Sequence, residues 1–197
     1  MRQPVLALAL VGALAGTVAP DGRAQRRDAD LLKQKVAAIT AYAERPKGVG
    51  KRTTVTEIEV NAYLAFDAIA QLPTGVVEPS VRLLAPGRLS GRAVVDLDAF
   101  RKQRGSGSLL DPTSYLMGRV VVTATGVLTT GKGVGRFALE SASAGALPIP
   151  KFLLQEIVGY FSQTAESPGG ILLDAPFPLP ARIRDIRVEP GRAIVIQ

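Results

Sequence analysis

Hydrophobic residues recur along this chain in two periods, and the switch between them separates helices from strands. Over residues 28–44, Leu31, Leu32, Lys35, Val36, Ile39 and Tyr42 recur every three or four positions and predict a helix. Asp28 and Asp30 stand near its start, where the helix dipole favours acid. Pro46, Gly48 and Gly50 end it. A short β-prone stretch over 51–55 leads into Thr56-Glu57-Ile58-Glu59. Thr followed three residues later by Glu is a capping box, in which each side chain satisfies a free backbone N–H of the helix start. Glu59 is expected to supply only that reciprocal bond. Ile58, Ala62, Ala65, Phe66, Ile69 and Leu72 keep the helical period, so a second helix is expected over 57–71.

The period then shortens to two. Residues 76–84 read as a strand, Pro86-Gly87 as a turn, and 89–98 as a second strand. In that strand Leu89, Gly91, Ala93, Val95 and Leu97 share one face, opposite Arg88, Ser90, Arg92, Asp96 and Asp98, with Val94 as the exception. A polar, glycine-rich loop over 100–112 follows. In 118–128, Val120, Val122, Ala124, Gly126 and Leu128 alternate with Arg119, Thr123 and Thr125. A turn over 129–133 leads to 134–143, where Phe137 and Leu139 oppose Arg136 and Glu140, completing a second hairpin. Residues 151–163 read as a third helix, apolar around much of its girth. Residues 183–189 and 192–197, joined by Pro190-Gly191, make a third hairpin. Consecutive strands joined by short turns imply an antiparallel sheet of about six strands with helices packed on it, an α+β fold.

The N-terminus changes the picture. Arg2, the apolar run from Val5 to Ala19, and small Gly22 and Ala24 have the form of a secretory signal peptide, with cleavage expected before Gln25. An uncleaved anchor is the other reading. Residues 1–24 are therefore expected to be the signal, and 25–197 a single domain. The chain has no Cys, which excludes a disulfide framework and a Cys-anchored lipid.

Net charge is +7, with arginines spread over the strand segments and aromatics at only 5%, without Trp. A nucleic-acid binder gathers its charge and adds stacking aromatics, so nucleic acid is not an expected partner. An anionic membrane surface, lipopolysaccharide or acidic glycan suits scattered basic charge better, and solubility alone is the plain alternative.

Candidate chemistry is sparse. The absence of His and Cys removes Ser–His and Cys–His nucleophile systems and the usual zinc ligands. Asp96 and Asp98 are the remaining carboxylate pair, and alternation puts them in water. The stretch from Gly126 to Lys132 matches the G-x-x-x-x-G-K of a phosphate loop. It lacks the magnesium-holding hydroxyl, having Gly133 there, and alternation rather than a helix follows, so a hairpin turn is expected. Neither catalysis nor a cofactor is expected. What remains is apolar: small inward residues such as Ala93, Ala124 and Gly126 leave room, and room lined by apolar atoms suits an acyl chain.

Thr54-Val55-Thr56-Glu57-Ile58-Glu59-Val60-Asn61-Ala62-Tyr63-Leu64 resembles the opening of exported bacterial proteins of the BPI-like tubular lipid-binding (TULIP) group, YceB-like proteins among them. Thr56, Glu59, Asn61 and Leu64 approach a motif, and the order of hairpins and helix is similar over most of the chain. Family members commonly carry a lipobox Cys that this chain lacks. The resemblance implies a twisted sheet wrapped on a long helix, with an apolar groove for lipid and no catalytic residues. The groove expected here joins Val95, Leu97, Val120, Val122, Ala124, Phe137 and Leu139 of the strands to Phe152, Ile157 and Phe161 of the third helix. The expected function is periplasmic binding or carriage of a lipid or other amphipathic ligand. The alternative is a non-catalytic envelope adaptor with a protein partner.

Overall fold

The computed structural model describes residues 22–44, 50–69, 72, 75–96, 98, 118–152, 154–155 and 172–197. Helices α1 (Gly22–Ala43) and α2 (Glu57–Phe66) accompany two antiparallel sheets. A small sheet joins β1 (Arg52–Thr56), β9 (Arg192–Ile196) and β8 (Asp185–Glu189) in that order. The main sheet has the order β2 (Val76–Ala85), β3 (Arg88–Asp96), β4 (Arg119–Gly131), β5 (Val134–Ala144), β6 (Leu147–Pro148), and β7 (Pro176–Pro178) also pairs with β5. The fold is α+β with a six-stranded antiparallel main sheet, the class the alternation predicts; β2 to β5 are the predicted strands, and β6 and β7 complete the six. The closing hairpin does not extend that sheet. It pairs instead with β1, from Arg52 opposite Ile196 to Thr56 opposite Arg192.

The helices bury only part of the stripes that the spacing predicts, Leu32, Ile39 and Ala62 among them. In α1, Ala29, Leu32 and Ile39 are buried, while Leu31 and Val36 are largely exposed. The predicted cleavage point before Gln25 falls in its first turn. In α2, Ile58 is 66% exposed, Ile69 beyond its end 58%, and the helix stops at Phe66 rather than 71. The reason is that the inward side of α2 is occupied by polar groups with partners. Thr56 and Glu59 complete the predicted capping box. Glu59 also accepts two bonds from Lys35 of α1, at 2.6 and 2.8 Å. Lys35 therefore belongs to the seam between the helices, not to an apolar stripe.

A small core of Ile39, Ile183 and Val195, packed by Leu179, Ala181 and Ile186, lies where α1 meets the small sheet. Gln197 pins that core, donating from Nε2 to the carbonyls of Ile39 and Ala181. Thr130 stitches the two sheets together: its hydroxyl donates to Asp185 at 2.5 Å and accepts from the Ile186 N–H at 2.8 Å. The Thr130 hydroxyl holds the Asp185 carboxyl below its ordinary 3.8, against the opposing pull of burial and with help from Arg187. The phosphate-loop look-alike is a hairpin turn. β4 runs to Gly131, and Lys132 and Gly133 turn with φ of 51° and 81°, the positive pair a two-residue turn of the I′ kind demands.

Candidate functional site

Strand β2 is the edge of the main sheet, and α2 closes it with side chains. Asn61 Nδ2 donates to the Val81 carbonyl at 2.8 Å, and Asn61 Oδ1 accepts from the Val81 N–H at 2.7 Å. Glu57 Oε2 accepts from the Leu83 N–H at 2.7 Å. Residues four apart on a helix are separated by about 6 Å. Residues two apart on a strand are separated by about 6.8 Å, so the two ladders match. The Gly191 N–H donates to the Leu83 carbonyl and the Gly191 carbonyl accepts from the Glu57 N–H, both at 2.9 Å. Helix start, edge strand and the β8–β9 turn are thereby locked together. The bulge in β2 falls at Glu78 (φ 52°) and Pro79, and an edge strand is where a ladder tolerates proline.

With β2 fixed, the register defines one continuous face. Directly opposed residues share a side of a sheet. The pairs Val76/Val95, Val81/Gly91 and Leu83/Leu89 therefore join Val95/Val120, Ala93/Val122, Gly91/Ala124 and Leu89/Gly126. Across β4 the same side continues through Val122/Ala144, Ala124/Ala142, Gly126/Leu139 and Leu128/Phe137. All of these positions are Val, Leu, Ala, Gly or Phe. A bulge between Thr125 and Gly126 lets β5 keep Leu139 and Ala142 on the same side despite their odd spacing.

The predicted residues Val95, Val120, Val122, Ala124, Phe137 and Leu139 all lie on this face, and each is half-buried. Leu97, Ile157 and Phe161 lie outside the described residues, as do most of the predicted third helix and the loop over 100–112. Phe152 is described and is 68% exposed, so at that position the helical side chain does not cover the sheet. Among the described residues of this segment the buried one is Leu154, which the predicted groove does not include. Val76, Val81, Ala142 and Ala144 complete the face and were legible from the alternation once β2 and β5 were in register.

Small residues leave room at one end of the face and not at the other. A Cβ on Gly126 would stand 2.5 Å from the Phe137 ring and 2.5 Å from the Ala138 carbonyl. Gly126 thus makes space for Phe137 rather than for a ligand, contrary to the expectation from its size. Gly135 is likewise covered by Phe177 of β7, its direct cross-strand partner. A Cβ on Gly91 meets no described atom within 4 Å. Among the described residues, the part of the face without a side chain over it centres on Gly91, flanked by Ala93, Val95, Val120, Val122 and Ala124.

The other side of the sheet mixes polar residues with the valines Val77, Val94, Val121 and Val127. Ser90, Arg92, Thr123 and Thr125 face it, with Thr125 Oγ1 donating to Ser90 Oγ at 3.0 Å. Asp96 and Asp98 hold the strand ends: Asp96 accepts from the Asp98 N–H, and Asp98 from the Gly118 N–H, each at 3.1 Å. Asp96 also meets Arg119 at 3.6 Å. Among the described residues no group of His, Cys, Asp or Glu is arranged to hold a metal ion. No described helix is long and apolar enough to cross a membrane. Comparison of the chain with family models, curated proteins and solved structures gives no match.

Proposed function

We propose that this chain is a non-catalytic lipid-binding protein of the bacterial envelope that holds an acyl chain against the open part of its apolar sheet face. One observation carries the reading: a half-buried stretch of the face made of Gly, Ala and Val from β3 and β4, with no described atom within reach above Gly91. The stretch from Val120 to Ala124 is about 13 Å long, four residue steps along the strand. One leaflet of a bilayer is roughly 15 Å deep, so an extended acyl chain and this stretch are comparable in length. Covering an apolar face with methylenes gains about 0.8 kcal/mol for each one buried. The resemblance of Thr54–Leu64 to exported lipid-binding proteins points the same way, and the signal-like N-terminus supports export before the ligand is met.

The test is native mass spectrometry of protein purified from the periplasm, with extraction and identification of bound lipid. The reading predicts a polypeptide starting near Gln25 that carries a lipid of stated mass. Exported protein that is free of lipid, and that takes up none when mixed with phospholipid, would contradict it.

A further inference from the structure

The polar side of the main sheet carries a second, independent surface. Arg82 stands opposite Ser90, and Arg92 stands opposite Ser80 and Thr123, so both guanidinium groups rise from the same side as diagonal neighbours on adjacent strands. Long side chains in that relation reach one another. The register puts Arg88, Arg119 and Arg136 on this side as well.

The acids of this side are already committed. Glu140 is bound to Arg88 at 2.8 Å and Asp96 meets Arg119 at 3.6 Å. Arg136 donates to the Asp174 carbonyl. Arg82 and Arg92 are exposed and, among the described residues, have no ion pair or hydrogen bond. Hydroxyls of Ser80, Ser90 and Thr123 stand beside them, with Val77, Val94 and Val121 on the flank beyond Arg92. Two like charges side by side on a sheet repel, and stability alone does not favour that placement. An anionic phosphate resolves the repulsion, because guanidinium groups grip phosphate in paired hydrogen bonds.

We propose that this side of the sheet docks on an anionic phospholipid bilayer, with Arg82 and Arg92 gripping headgroup phosphates. A sheet presents its charges across a broad surface, and a bilayer presents its phosphates in the same way. The surface is on the opposite side of the sheet from the apolar face, and the proposal does not depend on lipid carriage.

The experiment is co-sedimentation of the exported protein, purified from the periplasm, with vesicles of phosphatidylglycerol and phosphatidylcholine, compared with vesicles of phosphatidylcholine alone. The wild type binds only the anionic vesicles and is released by salt. Each basic residue near an anionic surface contributes about fivefold in affinity, so Arg82→Gln/Arg92→Gln loses about thirtyfold. Arg187→Gln/Arg192→Gln, which removes the same charge from the small sheet, keeps most of the binding. Uptake of a fluorescent fatty acid by Arg82→Gln/Arg92→Gln is unchanged, which separates this surface from the apolar face. Equal binding to both vesicle types, equal losses in the two double variants, or retention on a soluble polyanion without vesicle binding would each overturn the proposal.

Discussion

A single side chain, that of Asn61, satisfies both backbone groups of Val81, donating at 2.8 Å and accepting at 2.7 Å. It imitates one residue of a missing neighbour strand. Removing it leaves two backbone groups of a sheet edge unpaired, and the edge itself open to other strands.

Asn61→Ala is therefore expected to lower stability by about 1–3 kcal/mol, read as a shift in the urea midpoint at unchanged slope. Asn61→Leu, which fills similar volume without restoring either bond, is expected to lose as much. Wild-type stability in both variants would show that water replaces the side chain at no cost.

The capping pair separates two roles. Thr56→Ala removes one acceptor from the first turn and is expected to cost about 1 kcal/mol. Glu59→Ala removes the reciprocal bond to the Thr56 N–H and also strands the part-buried Lys35. Glu59→Ala should thus cost more than Thr56→Ala, the reverse of what a capping box alone implies. Chemical unfolding of the two variants side by side decides between the orders.

Acid should act through the same residue. Burial by itself would push the Glu59 carboxyl up, but hydrogen bonds from Lys35 and from the Thr56 N–H outweigh it and hold the group below the ordinary 4.5. A carboxyl held low in the folded state stabilises the protein above its unfolded value, and that stability fades as pH falls through the folded value. The wild type should lose denaturant resistance below pH 4.5, and Glu59→Gln should lose less over the same range. Parallel acid limbs for the two proteins would assign the loss to other carboxyls, Asp185 among them.

The two glycines of the apolar face should respond in opposite ways. Gly126→Ala drives a methyl into the Phe137 ring and the Ala138 carbonyl, and overpacking of this kind typically costs about 1–3 kcal/mol. Gly91→Ala meets open space and should be tolerated or slightly stabilising, since alanine restricts the unfolded chain. Thermal unfolding of both variants tests whether the open part of the face lies where the register puts it.

What was legible in the chain was local or periodic. The Thr56–Glu59 box spans three residues, and strand faces repeat every two, so both were read correctly, including Val95, Val120, Val122 and Ala124 as one side. What failed depends on partners distant in sequence. Ile58 looked inward because it is apolar, yet Glu57, Glu59 and Asn61 take the inner side by bonding to Leu83, Lys35 and Val81. The partnership of β1 with the closing hairpin joins residues about 140 positions apart, and no local pattern announces it. Gly126 looked like room because a sequence does not show which cross-strand ring leans over a glycine.

The most direct test of the central claim is uptake of a fluorescent fatty acid by the wild type, Ala124→Phe and Thr123→Phe. Ala124 lies opposite Gly91 on the apolar face, and Thr123 lies opposite Arg92 on the polar one. If an acyl chain occupies the open stretch, the wild type binds the probe, Ala124→Phe remains cooperatively folded and loses binding, and Thr123→Phe keeps it. A folded wild type that binds no probe, or an Ala124→Phe variant that binds as tightly as the wild type, would contradict the account.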